Sequence, residues 1–185
     1  MKTYSLSPSG RRTALLLLIG SLVIWAFALW TFRRTLDISY NPLYFWGSLR
    51  TAIQSGLTLG QLVPALLMLV LIVATPLVIW NILEEWAASY TPTEEGLRFV
   101  SLGIDVVYPW SGIDAIRQLD QDSDEPIDEL QLREDYTNQI KNPVLRFLHG
   151  QAYGRKTLPV YAGLQEREEL LAQIQQYTKT ARAEA

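Results

Sequence analysis

Two uninterrupted apolar stretches, Thr13–Phe32 and Leu62–Leu83, dominate the first half of the chain, and neither contains a charged side chain. Each reaches the roughly 20 residues that a helix needs to cross a hydrocarbon core about 30 Å thick, so the pattern predicts a hairpin of two membrane helices. After Glu84 the pattern changes to short alternating segments broken by turn residues, which predicts a water-facing, β-rich domain. The expected segmentation is a tail over 1–12, membrane helices over 13–32 and 62–83 joined by a loop over 33–61, a soluble domain over 84–179, and a disordered tail over 180–185.

Within the loop, Asn41-Pro42 pairs an N-capping residue with a proline suited to the first helical position. Leu43, Trp46, Leu49, Ala52 and Ile53 then recur at helical spacing, so Asn41–Ser55 is expected to lie as an amphipathic helix along the membrane surface; a partner-binding helix is the alternative. Trp30, Tyr44, Trp46 and Trp80 are the expected interfacial anchors, because their rings favour partial burial while the N–H or O–H stays wet. Pro64 is placed in the first turn of the second span, and Pro76, being internal, is expected to kink it. The spans hold no ionisable residue and no GxxxG pair, which favours an anchor packing on partner helices over a transporter or a close self-dimer.

Charge is divided unevenly. Residues 1–83 carry six basic residues against the single Asp37, whereas the rest carries ten basic and eighteen acidic residues. A domain with a net charge of −8 is repelled by nucleic acid and, as a whole, by anionic headgroups. Arg11 and Arg12 before the first run, and Ala26-Phe27-Ala28 within it, raise a cleaved signal peptide as an alternative; the run continues through Leu29, Trp30 and Phe32, which favours a retained helix. Three basic residues flank the first helix on its outer side and three lie in the loop, so charge alone leaves the orientation tied. The absence of cysteine excludes disulfides and thiol chemistry.

In the soluble half, Tyr90–Gly96 reads as a strand end and turn, Leu97 and Phe99 alternate on the next strand, and Ile104–Trp110 forms another. Ile113, Ile116 and Leu119 follow, then an acidic turn over Asp120–Pro126. Leu130, Leu132 and Tyr136 alternate with polar residues, Thr157–Tyr161 is a last short strand, and Leu164–Thr178 is a helix burying Leu170, Leu171, Ile174 and Tyr177. The reading is a small barrel closed at one end by a C-terminal helix.

Three stretches, Tyr90-x-x-Thr93-x-x-Gly96-Leu97, Pro109-Trp110-x-x-Ile113-x-x-Ile116 and Gln165-x-Arg167-Glu168-Glu169-Leu170-Leu171-x-x-Ile174, resemble the bacterial pleckstrin-homology-like (PH-like) domains that flank membrane spans. The likeness covers about Glu85–Tyr177. It implies a PH-like barrel with Trp110 and the isoleucines in its core, a cytoplasmic domain, and hence a multi-pass protein of the bacterial inner membrane with both termini inside. Against the simplest members of that family, this chain inserts residues between Tyr136 and Thr157, where Lys141, Arg146, Arg155 and Lys156 interleave with Phe147 and Tyr153. These six are the expected partner or lipid contacts, the alternative being a solvated connection with Phe147 tucked under the barrel.

No catalytic constellation emerges. His149 is the only histidine and is expected to be an ordinary polar loop residue. The carboxylates from Asp120 to Glu129 lack the glycine turn and closing Glu of a calcium loop, and Gly150-x-x-x-Gly154-Arg155-Lys156 lacks the spacing of a phosphate loop. No metal or cofactor is expected. The sequence points to a non-enzymatic scaffold or accessory subunit that binds the bilayer and other integral membrane proteins, but no nucleic acid, with an anionic-lipid-responsive sensor as the alternative.

Overall fold

The computed structural model describes residues 2–119 and 127–183. Elements run in the order β1 (Tyr4–Ser5), α1 (Pro8–Leu36), α2 (Pro42–Gln54), α3 (Leu59–Ala87), β2 (Ser89–Pro92), β3 (Gly96–Ser101), β4 (Ile104–Pro109), β5 (Ile113–Leu119), β6 (Ile127–Leu132), α4 (Pro143–Tyr153), β7 (Thr157–Val160) and α5 (Arg167–Ala183). Single 3-10 turns occupy Trp110–Gly112 and Thr137–Gln139. Leu17–Ile79 forms one compact unit; the segment up to Leu16 folds with the chain from Trp80 onward to form the other.

In the helical unit, α1 and α3 are 29 residues each and extend past the charge-free runs at both ends. Both are long and apolar enough to cross a membrane, with mean hydropathies of 2.3 and 2.8. Only 6% and 11% of their apolar windows are buried, so these are not the core helices of a water-soluble fold: most of their side chains meet no protein. Helix α3 starts at Leu59 because Thr58 and Gln61 form a capping box, the Thr58 N–H donating to Gln61 Oε1 at 3.2 Å and the Gln61 N–H to the Thr58 carbonyl at 3.0 Å. Pro64 therefore lies inside the helix rather than in its first turn. Pro76 removes the donor that would serve the Ile72 carbonyl four residues back, and the Trp25 indole N–H supplies it instead at 3.1 Å. Helix α3 remains continuous through this proline.

Helix α2 forms where the capping signal puts it, with Asn41 Oδ1 accepting from the Leu43 N–H. Its periodic residues divide between two faces. Leu49 and Ala52 join Phe45 in packing around Leu36, Ile38 and Ala65, whereas Leu43, Trp46 and Ile53 are exposed.

The soluble unit contains two antiparallel sheets, β1-β2-β3-β4 and β5-β6-β7, sharing one core. They do not close into the expected barrel, because the turn at Trp110–Gly112 ends one sheet and starts the next with no ladder between β4 and β5. Strands β3 and β4 are joined by Leu102-Gly103, both at positive φ (41° and 81°), the primed turn that matches strand twist. The outer edge of β4 is occupied by one side chain: the Gln139 amide accepts from the Val107 N–H at 3.1 Å and donates to its carbonyl at 2.9 Å. Helix α5 buries Leu170 and Ile174 completely and stacks Tyr177 on Trp110, centroids 4.8 Å apart. Tyr136, read from the alternation as part of a strand, instead follows the end of β6 and precedes a 3-10 turn.

Three expectations are corrected at the segment level. The first twelve residues are not a tail: Tyr4 and Ser5 pair with Tyr90 and Ser89, Leu6 bridges Leu164, and α1 begins at Pro8. The segment is held on its other side by the Gln165 N–H donating to the Ser5 carbonyl and the Ser7 N–H to the Gly163 carbonyl, both at 2.9 Å. The second correction is at the C-terminus, where α5 continues to Ala183, because Trp110 and Tyr177 extend the packed face past Thr178. The third is the insertion after Tyr136, which is helical over α4. The acidic turn Asp120–Pro126 lies outside the described residues.

Candidate functional site

Glu84 is the first acidic residue after the second apolar run, and in α3 it is 0% exposed. A buried carboxylate is costly unless its lone pairs are used, and here they are. Oε1 accepts from His149 Nδ1 at 2.5 Å, and Oε2 accepts from the Trp80 indole N–H, one turn earlier on α3, at 2.9 Å. The Glu84 carbonyl accepts from Ser101 Oγ at 2.6 Å. The His149 ring, 3% exposed, turns Nε2 toward the Tyr108 hydroxyl at 3.3 Å and packs on Phe99 with ring centroids 5.6 Å apart. Burial, and then the nearby Glu84 charge, push the Tyr108 phenol well above its usual range, so it stays a neutral hydroxyl.

This cluster joins four elements, α3, α4, β3 and β4, and each contributes for a local reason. Helix α3 carries Trp80 and Glu84 at i and i+4, on one face. Strands β3 and β4 point Phe99 and Tyr108 inward by alternation. Helix α4 is set by Asn142, whose Oδ1 accepts from Val144 N–H at 2.9 Å, by Pro143 in its first turn, and by Gly154 at φ 88° beyond its end. His149 is thus a buried helical residue in an ion-pair network, not the loop residue expected. With both imidazole nitrogens occupied and almost no exposure, it is closed to substrate and serves as a junction.

The other six expected contacts lie on and beside α4. The Arg146 guanidinium turns back to the Ile140 carbonyl at 2.8 Å and secures the preceding 3-10 turn. Phe147 is 64% exposed rather than tucked under the sheets. Tyr153 is half-buried against Tyr161, and burial pushes its phenol up to about 12. Lys141, Arg155 and Lys156 are exposed. Gln151, one turn before Arg155, donates to Asn81 of α3 at 3.1 Å. The chain from Tyr136 to Gln165 contains these four basic residues and no acidic one, although all other parts of the soluble half are rich in acid.

Of the expected membrane anchors, Trp30, Tyr44 and Trp46 are exposed, and Trp30 lies 5.9 Å from the Arg34 guanidinium. Trp80 faces the other way, packed against the soluble core with its N–H committed to Glu84. Sequence reasoning missed Glu84, Tyr108 and Tyr4. Glu84 reads as the polar end of a span, and a two-residue strand leaves no periodicity. The signal for α4 was present, since Asn142-Pro143 repeats the Asn41-Pro42 pattern.

Among the described residues no group of acidic or histidine side chains is placed to hold a metal ion. The chain matches no family model, no curated protein and no solved structure.

Proposed function

We propose that this protein is a membrane-anchored scaffold or accessory subunit, in which α1 and α3 cross the bilayer and the soluble unit presents a protein-binding surface at the cytoplasmic face of a bacterial inner membrane. The observation that carries this reading is the way the soluble unit is attached. It includes the strand before α1 as well as the last two turns of α3, and the buried Trp80–Glu84–His149–Tyr108 network leaves no flexible linker between α3 and the sheets. A domain fixed at both ends of a helix hairpin is held at a set height and rotation over the membrane, which suits docking to other membrane proteins. A tethered enzyme needs no such fixation.

The exposure of most side chains on α1 and α3 supports the spans, since apolar faces of that extent need lipid or partner helices to cover them. Four strands, then three, then a C-terminal helix supports kinship with PH-like domains. A retained segment before α1 that folds with the chain after α3 supports two spans with both ends on one side. The commitment of the sole histidine to a sealed pair supports a non-enzymatic role.

The test is crosslinking of the tagged full-length protein in its own membrane, followed by mild detergent extraction and mass spectrometry. A defined set of integral membrane proteins recovered in fixed ratio is the expected result. Recovery of the protein alone would sink the scaffold reading.

A further inference from the structure

We propose that Arg155 and Lys156, at the end of α4, contact the phosphates of anionic lipids at the membrane surface beside α3. The inference rests on the reading of α3 as a span. Two hydrogen bonds fix the direction of α4. His149 meets Glu84 and Gln151 meets Asn81, so α4 advances toward the membrane end of α3 as its numbering rises. Arg155 and Lys156 follow Gln151 by one turn, beyond the Gly154 stop, and both are exposed. Asn81 lies just past Val78, still 48% exposed on the apolar face of α3. At about 1.5 Å per residue, the end of α4 reaches the depth where hydrocarbon gives way to headgroups, a layer about 5–8 Å deep.

Charge selects the occupant. The soluble half is acidic as a whole, and its other well-placed cations are already matched: Arg98 by Asp105 at 2.5 Å and Arg167 by Asp128. The acid-free segment from Tyr136 to Gln165 is the exception, and its most exposed basic pair sits at its membrane end. Arg146 has a separate task, capping the Thr137–Gln139 turn, and is not part of the contact. A polybasic edge facing the bilayer, with the acidic faces turned away, gives the unit an electrostatic orientation that its net charge would hide.

The full-length protein is placed in nanodiscs of phosphatidylcholine, with or without about 30 mol% phosphatidylglycerol, a surface expected to attract each nearby basic side chain by about fivefold in affinity. Hydrogen exchange of the segment 150–157 is then followed by mass spectrometry. Exchange is expected to slow severalfold in the anionic discs for the wild type and not for Arg155→Glu/Lys156→Glu. Equal exchange in the two discs overturns the proposal, as does a variant that slows like the wild type. A third arm adds glycerol 3-phosphate to phosphatidylcholine discs, and equal slowing there assigns the pair to a soluble phosphate and overturns the lipid contact. Failure of the protein to enter discs of either composition sinks the span reading instead.

Discussion

Glu84 on α3 and His149 on α4 face each other across 2.5 Å between Oε1 and Nδ1, both almost wholly sealed from solvent. Removing one partner leaves a buried ionisable group without its counterpart, which costs about 3–5 kcal/mol. His149→Ala is therefore expected to lower the melting temperature of the detergent-solubilised protein by about 10 °C, given the usual conversion for a chain of this size. Replacing both partners by apolar residues, Glu84→Met with His149→Leu, should recover much of that loss. A single variant that melts like the wild type would show that the pair does not hold the two helices together.

The bond from Trp25 to the Ile72 carbonyl exists because Pro76 brings no donor. Trp25→Phe should cost about 1 kcal/mol in the native background. In a Pro76→Ala background the helix serves Ile72 with its own N–H, and the same change should then cost little. Unfolding measurements on the four proteins of this cycle read the coupling directly, and a coupling of zero would refute the assignment.

Lys2 lies 2.7 Å from Glu166 and 2.5 Å from Glu169, and the Tyr4 hydroxyl donates to Glu169 at 2.9 Å. The Lys2 ammonium, followed by the Tyr4 hydroxyl, holds the Glu169 carboxyl below its ordinary 4.5. A depressed carboxyl contributes stability above its unfolded value and loses it as pH falls through the folded one. The same contacts raise Lys2 above its ordinary 10.5, so its contribution is lost only in strong alkali. The difference in urea midpoint between wild type and Lys2→Met should accordingly be present at pH 7 and shrink to nothing below about pH 4. A difference that persists at pH 3 would mean that Lys2 acts through packing.

Tyr4 and Leu6 are 1% and 3% exposed, so cleavage near Ala26-Phe27-Ala28 would take two core residues away. The intact mass of the membrane-extracted protein is expected to include this segment. The seam is tight at Gly10, where an added Cβ would stand 2.7 Å from the Gly163 carbonyl oxygen. Gly10→Ala should destabilise by about 1–3 kcal/mol, whereas Gly20→Ala, which meets nothing, should not. A mass lacking the first residues would overturn the role of β1.

The spans, α2 and most strands of the soluble half were legible because each has a period, a cap or an uninterrupted apolar run long enough to average over. Tyr4 and Ser5 are too short for that, and their partner is Tyr90, on the far side of both long helices. The closed barrel was an inference from strand count, and only the pairing shows where the ladder breaks at Trp110. His149 illustrates a different limit. Its burial is decided by Glu84, sixty-five positions earlier, and nothing in the residues around either one announces the other.

The strand before α1 also sets an order of events. Tyr4 emerges first from the ribosome but has no partner until Tyr90 and Leu164 have been made, and Lys2 waits for Glu169. Contacts of such sequence separation form late, since the loop they close must be formed first. A chain with only one of its two long helices inserted would strand Tyr4 and Tyr90 on opposite faces of the bilayer, leaving the sheet edge open and the core exposed to proteases. Completion of this small domain therefore reports that the hairpin has been threaded correctly, a proofreading step written into two residues.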